Sequence, residues 1–307
     1  AYAFNNLPKY AAGTEIEYTV REEKVDGYTT TIDGYNITNT HTPEVMDITV
    51  NKTWDDANNQ DGKRPESITV NLFANGEVVD TVIIRADENG AWTYVFEDLP
   101  KFAEGEEITY TITEDVVDGY TTAIEGFGIT NTYTPEKVNV SVKKVWDDAN
   151  NQDGIRPDSI TVTLSNGTEV VLNAENDWSA TVEDLPKYEN GEEIVYTWSE
   201  GTVDGYTLVS NEANGLLTTI TNKHVPALTS VAGSKTWVDG DNVEGFRPES
   251  ITVNLLADGE KVDTITVSEA TNWAYAFNNL PKYAAGKEIV YTVSEDAVAN
   301  YETTIDG

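Results

Sequence analysis

Apolar and polar residues alternate along most of this chain. In Ile48-Thr49-Val50-Asn51-Lys52-Thr53-Trp54 every second residue shares one face of an extended strand, so Ile48, Val50, Lys52 and Trp54 stand together. The arrangement returns with Val140, Val142, Lys144 and Trp146, and again around Lys235-Thr236-Trp237. Other alternating runs are Ser67–Phe73, Ala91–Phe96, Glu107–Glu114 and Phe127–Thr132. Asn75-Gly76, Asn166-Gly167 and Asp258-Gly259 follow the Ser-Ile-Thr-Val strand of successive modules and predict tight hairpins, while Leu99-Pro100 predicts a turn. Short strands with turn signals at this spacing predict an antiparallel sandwich of roughly 90 residues per module. No stretch carries a convincing helical period.

The pattern is periodic on a larger scale too. Trp54, Trp146 and Trp237 are 92 and 91 residues apart, which is a domain repeat rather than a solenoid turn. Leu-Pro-Lys-aromatic recurs from Leu7, Leu99, Leu185 and Leu280, and Arg-Pro-acid-Ser-Ile-Thr-Val from Arg64, Arg156 and Arg247. Short proline-bearing linkers at Thr42-Pro43-Glu44, Thr134-Pro135-Glu136 and Val225-Pro226-Ala227 divide the chain. The expected domains are 1–44 (the C-terminal part of a module), 45–135 and 136–226 (two complete modules) and 227–307 (a module lacking its last strand). Residues 1–34 align without gaps on 274–307 and differ at eight positions, which suggests that a longer parent repeats a three-module block.

Composition narrows the function. The net charge of −35 comes from 54 acidic and 19 basic residues spread along all 307. Such a field repels nucleic acid and anionic lipid, and no cationic stripe offers phosphate contacts. No run of about 18 apolar residues exists to span a membrane. The chain has no cysteine, so disulfides cannot reinforce it. It begins in mid-pattern, so any targeting or anchoring segment is expected outside it.

The inward lysines need an explanation, because charges are rarely buried unless paired or neutralised. Two more polar residues fall on inward positions of each complete module. Glu114 is in phase with Tyr110 and Ile112, and Asn131 with Ile129; in the next module Glu200 follows Tyr196 and Trp198, and Asn222 follows Ile220. Val50-x-Lys52-x-Trp54, Arg64-Pro65-x-Ser67-Ile68, Tyr110-Thr-Ile-Thr-Glu114 and Ile129-Thr-Asn131, in this order and spacing, resemble the B-type repeat domains of Gram-positive collagen adhesins, the CnaB domains. The likeness covers essentially the whole chain. It implies an all-β tandem array of Ig-like or prealbumin-like antiparallel sandwiches, and a self-formed isopeptide bond between lysine and asparagine assisted by glutamate. By position that means Lys52–Asn131 with Glu114, and Lys144–Asn222 with Glu200.

Elementary chemistry agrees with that implication. Burial disfavours an ammonium and favours a neutral carboxylic acid. A protonated glutamic acid could polarise the asparagine carbonyl for attack by a neutral amine and relay protons as ammonia leaves. The event would occur once per domain, as maturation rather than turnover, so no enzyme activity and no cofactor are expected. The alternative is a hydrogen-bonded Lys–Glu–Asn cluster without a bond, although buried ion pairs are weak stabilisers. Glu22 and Asn39 lack a lysine, and Lys235 and Glu295 lack an asparagine, so these triads are incomplete. From Glu200 to Asn222 the chain is 22 residues, against 17 from Glu114 to Asn131, predicting an extra bulge or longer loop.

Other candidates are weaker. Asp55–Gly62 is rich in Asx residues, but its spacing fails the EF-hand pattern, so a polar loop is expected and calcium is the minority reading. His41 and His224 lie in linkers, and no metal site is expected. The resemblance implies a cell-wall-anchored, extracellular stalk whose partners are neighbouring repeats, with a host ligand bound by other regions of the parent protein. The competing readings are modules that bind a host protein or glycan themselves, and a pilus subunit.

Overall fold

The computed structural model describes residues 1–306, leaving Gly307 of the fourth expected module outside the described residues. Among these, the regular elements are strands apart from two single 3₁₀ turns, Ala174–Asn176 and Glu269–Thr271. Two compact units result, residues 1–135 with 188–192, and residues 136–187 with 193–307.

In the first unit the strand Val45–Asp55 lies inside a four-stranded sheet ordered Thr121–Glu125, Gly128–Thr132, Val45–Asp55, Trp92–Pro100. A three-stranded sheet of Tyr110–Glu114, Ile68–Ala74 and Glu77–Ile84 supplies the other layer. Ile48, Val50 and Ile129 from the first sheet meet Val70, Leu72 and Ile112 from the second in one core. Burial along Val45–Asp55 alternates from Ile48 onward, with Val50 and Lys52 buried and Asn51 and Thr53 exposed, as the polar pattern requires. Residues 1–44 contribute the hairpin Thr29–Asp33 with Asn36–Thr40 and a short ribbon, Tyr10–Ala11 with Thr14–Glu15.

One pairing is parallel. Gly128–Thr132 runs alongside Val45–Asp55 with Ile129 opposite Lys52 and Asn131 opposite Trp54. Parallel neighbours need a long crossover, and here the rest of the module provides it. The chain leaves the first strand, builds the opposite sheet, and returns beside its own beginning.

The second unit repeats the plan. Its four-stranded sheet is Ser179–Pro186, Lys137–Asp147, Leu217–Lys223 and Thr207–Asn214, again with the first and last strands parallel. The second layer is Glu169–Asn173, Ser159–Leu164 and Trp198–Glu200. The five extra residues between Glu200 and Asn222 go into a longer terminal hairpin of 8 and 7 residues, against 5 and 5, with a bulge between Leu208 and Ser210. Residues 228–306 form a further core from Ile251, Val253, Leu255, Val267 and Phe277.

The hairpin turns follow their residues. Asn75-Gly76 and Asp258-Gly259 have both residues at positive φ, the two-residue turn that suits strand twist. In the third module Leu164 N donates to Thr168 O, and of the connection between them only Gly167 has positive φ, so that turn is one residue longer than the sequence suggests. Leu99-Pro100, expected as a turn, instead ends the strand Trp92–Pro100, which bulges near Asp98, whose φ is 52°.

Two glycine pairs make backbone contact between successive modules. In the second unit Gly286 N donates to Gln152 O at 3.1 Å, and a Cβ on Gly154 would collide with Gly286 Cα. In the first unit Gly191 N donates to Gln60 O at 3.0 Å, and a Cβ on Gly62 would likewise collide with Gly191 Cα. Gly154→Ala therefore meets a steric block together with a left-handed φ of 70°, which alone costs roughly 1–2 kcal/mol. The expected outcome is faster hydrogen exchange at the Gly286 amide, while the amide of Val142 inside the sheet stays protected.

Candidate functional site: a sealed lysine, glutamate and asparagine cluster

The parallel first and last strands bring the expected triad residues into one module interior. Lys52 projects from the first strand, Asn131 from the last, and Glu114 from the end of the opposite sheet, where it pairs with Val70. Lys52 Nζ lies 2.8 Å from Glu114 Oε1, and both side chains are completely excluded from solvent. Lys144 Nζ lies 2.9 Å from Glu200 Oε1, with the lysine fully excluded and the glutamate nearly so. Asn131 and Asn222 are also buried.

Contact in these clusters outruns hydrogen bonding. Lys52 Nζ, Glu114 Oε1 and both amide atoms of Asn131 lack a partner in good hydrogen-bond geometry, as do Lys144 Nζ, Glu200 Oε1 and Asn222 Oδ1. Orphaned buried polar atoms are costly, and here they gather around one lysine and one amide in each module. In the third module the asparagine does reach the acid, with Asn222 Nδ2 donating to Glu200 Oε2 at 2.7 Å. Burial is the dominant influence on the two lysines and draws both below the ordinary lysine range; the adjoining glutamates push the other way without cancelling it.

Each lysine also sits over the tryptophan two residues on. The distances from Nζ to the ring are 4.4 Å for Lys52 on Trp54 and 4.6 Å for Lys144 on Trp146. Trp54 is walled by Trp92 and Tyr120 in edge contacts. Lys235 Nζ is 2.9 Å from Glu295 Oε2, and Asn39 Nδ2 donates to Glu22 Oε1 at 3.1 Å.

A second polar cluster escaped the sequence reading. Asp56, just after the tryptophan, is buried and accepts from Arg64 Nε at 3.0 Å, from Arg64 Nη2 at 2.6 Å, from Tyr120 Oη at 2.9 Å and from Asn59 N at 2.9 Å. Asp148 with Arg156 and Tyr206, and Asp239 with Arg247 and Tyr301, repeat it. The Asx-rich loop is thus tied down by its own arginine, which also packs on the tryptophan ring. The signal was present, since an aspartate recurs at a fixed interval of eight residues before the Arg-Pro motif. His224 is also engaged: its Nε2 lies 2.9 Å from Asp153 Oδ2, which accepts from Ala227 N as well and holds the linker.

Repeated two-layer β modules, the two complete ones each with such a cluster sealed between its terminal strands, make a tandem repeat region of small β-sandwich domains. The chain belongs to the family of Cna protein B-type domains, which matches residues 1–40, 48–132, 140–223 and 231–307. Over its full length it is 48% identical, across 319 residues, to a collagen adhesin of Staphylococcus aureus, of which it spans 27%. The crystal structure of two B repeat units of the collagen-binding protein of that organism is 48% identical, with a TM-score of 0.55 over 86% of this chain and 72% of that one. A single B repeat unit of the same protein is 44% identical over 60% of this chain and all of that one, with a TM-score of 0.29.

The aspartate cluster carries a pH dependence. Burial alone would raise the Asp148 carboxyl, but hydrogen bonds from Arg156, the Asn151 amide and Tyr206 outweigh it and hold the group at about 2. A carboxylate depressed in the folded state stabilises above its unfolded value of about 3.9, and that contribution disappears as pH falls through the folded value. The urea midpoint of the chain is expected to drop on acidification from about pH 4 to about pH 2. Arg156→Met should flatten the part of that drop arising from the third module.

Proposed function

We propose that the chain is a stalk segment of a Gram-positive cell-surface adhesin whose modules are locked by autocatalytic bonds, Lys52 to Asn131 and Lys144 to Asn222. The observation that carries this reading is the meeting of a lysine, an acid and an asparagine in one dry site, with Lys52 Nζ 2.8 Å from Glu114 Oε1 and the Asn131 amide atoms left without a hydrogen-bond partner. Proton transfer across 2.8 Å from Lys52 to Glu114 leaves an amine and a carboxylic acid, both better suited to a dry site than two ions. Nζ then attacks Asn131 Cγ as Glu114 protonates the carbonyl oxygen, and the acid recovers a proton from the attacking nitrogen. The hydroxyl proton of the tetrahedral intermediate passes to Nδ2 as the Cγ–Nδ2 bond breaks, restoring the carbonyl and releasing ammonia. One amide has thus replaced another, and the carboxyl group is left protonated, as it was when the attack began. Held geometry supplies much of the rate.

The bond would close 79 residues in the second module and 78 in the third. On the chain-entropy model each loop stabilises by about 4.5 kcal/mol. Because the bonded strands are also neighbours in the sheet, tension between the two ends of a module passes from first strand to last without unzipping the opposite layer. This suits a spacer held outside the cell, anchored to the wall by a segment elsewhere in the parent protein and carrying a host-binding region at a distance. The modules turn over no external substrate on this reading.

The intact mass of the purified chain tests the chemistry. The expected value is short of the sequence mass by two ammonia molecules, with one restored in Glu114→Ala and one in Glu200→Ala. A mass equal to that of the plain sequence would leave only hydrogen-bonded clusters.

A further inference from the structure

One polar group touches the cluster without a part in the reaction as described so far. Thr122 Oγ1 lies 2.9 Å from Glu114 Oε2, the carboxyl oxygen that does not face lysine. Thr122 also pairs with Asn131 across the terminal hairpin, so it stands beside the residue whose carbonyl must be activated. A threonine recurs eight residues after the glutamate and touches it: Thr30 Oγ1 is 2.9 Å from Glu22 Oε2, and Thr303 Oγ1 is 2.7 Å from Glu295 Oε2, an oxygen it shares with Lys235. In the third module that position is Leu208, which pairs with Asn222, and there the asparagine amide takes the free carboxyl oxygen instead.

The residues around Glu22 reveal what the hydroxyl can do. Thr30 Oγ1 is 2.9 Å from Glu22 Oε2 and also 2.6 Å from Asn39 Oδ1, while Asn39 Nδ2 donates to Glu22 Oε1. A hydroxyl has one hydrogen, and an ionised carboxylate and an amide oxygen both only accept. The Thr30 hydroxyl touches the acid and the amide oxygen at once, the pair of contacts that a proton relay between them needs.

We infer that Thr122 is a positioning residue for bond formation: its hydroxyl, held 2.9 Å from Glu114 Oε2 and on the residue paired with Asn131, swings onto the Asn131 carbonyl oxygen, which has no partner before reaction, and passes it the proton that the attacked oxygen needs. This rests on the isopeptide reading above. The step is balanced, since Glu114 gives a proton to Oγ1 as the hydroxyl gives its own to Oδ1, and the lysine nitrogen later returns one to the acid. The third module, without the hydroxyl, depends on direct contact between Asn222 and Glu200.

The test follows both bonds in the same full-length chain by peptide mapping at timed intervals after cell-free synthesis. Thr122→Val, nearly equal in shape and suited to a strand, is expected to slow Lys52–Asn131 formation by about tenfold, the worth of roughly one hydrogen bond in the transition state, without changing the Lys144–Asn222 rate. Thr122→Ser should recover most of the rate and Thr122→Ala should not, a comparison that isolates the hydroxyl from the methyl group. Equal rates for the serine and alanine variants, or an unslowed valine variant, would overturn the bridge while leaving the bond intact. Absence of both bonds from the unsubstituted chain would instead overturn the underlying reading, and the bridge with it.

Discussion

Everything in these modules depends on burying a lysine. An ammonium placed where Val or Ile would pack must either keep a carboxylate beside it or stop being an ammonium, and the alternation of Val45–Asp55 leaves Lys52 no route to solvent. Glu114 is therefore required at the facing edge of the other sheet, and the parallel return of Gly128–Thr132 is required to seal the site with Asn131. The two-layer core is what keeps water out, so its packing and the polar chemistry sustain one another.

The aspartate cluster extends the same logic outward. Lys52 and Arg64 both lie within cation–π range of the Trp54 ring, at 4.4 and 5.4 Å from its centre. Arg64 is fixed by Asp56, and Asp56 by Tyr120 from the segment leading into the terminal hairpin. A loop that resembles a cation site in composition thus fastens the start of the module to its end. Its carboxylate is already engaged by a resident guanidinium, where an ion would otherwise need it.

Much of this was legible from the chain alone, and the reasons are physical. Period-two alternation fixes which way Lys52, Glu114 and Asn131 point, and repetition at a domain interval removes the ambiguity that any single strand would leave. The parallel pairing was not legible, because alternation gives the face of a strand but not its neighbour. Thr122 was missed since threonine is ordinary in strands, and its place beside Glu114 exists only once two sheets are stacked. The join between Asp56 and Arg64 was overlooked for a different reason: the two lie on either side of a loop that was read for its carboxylates and not for its arginine. The longer turn at Asn166 shows that a dipeptide marks a reversal of direction more reliably than it sets the number of residues in it.

The paired glycines have a bearing on how such a chain can change over generations. Gly62 meets Gly191 and Gly154 meets Gly286, so each contact sets the glycine that ends an Asx-rich loop against the turn glycine of a short two-stranded ribbon. That part of a joint is bare main chain and carries no memory of the side chains around it. Unequal recombination between similar repeats could therefore delete or duplicate a module and restore this contact, provided both glycines survive. Length becomes a heritable variable to which the glycines set no barrier.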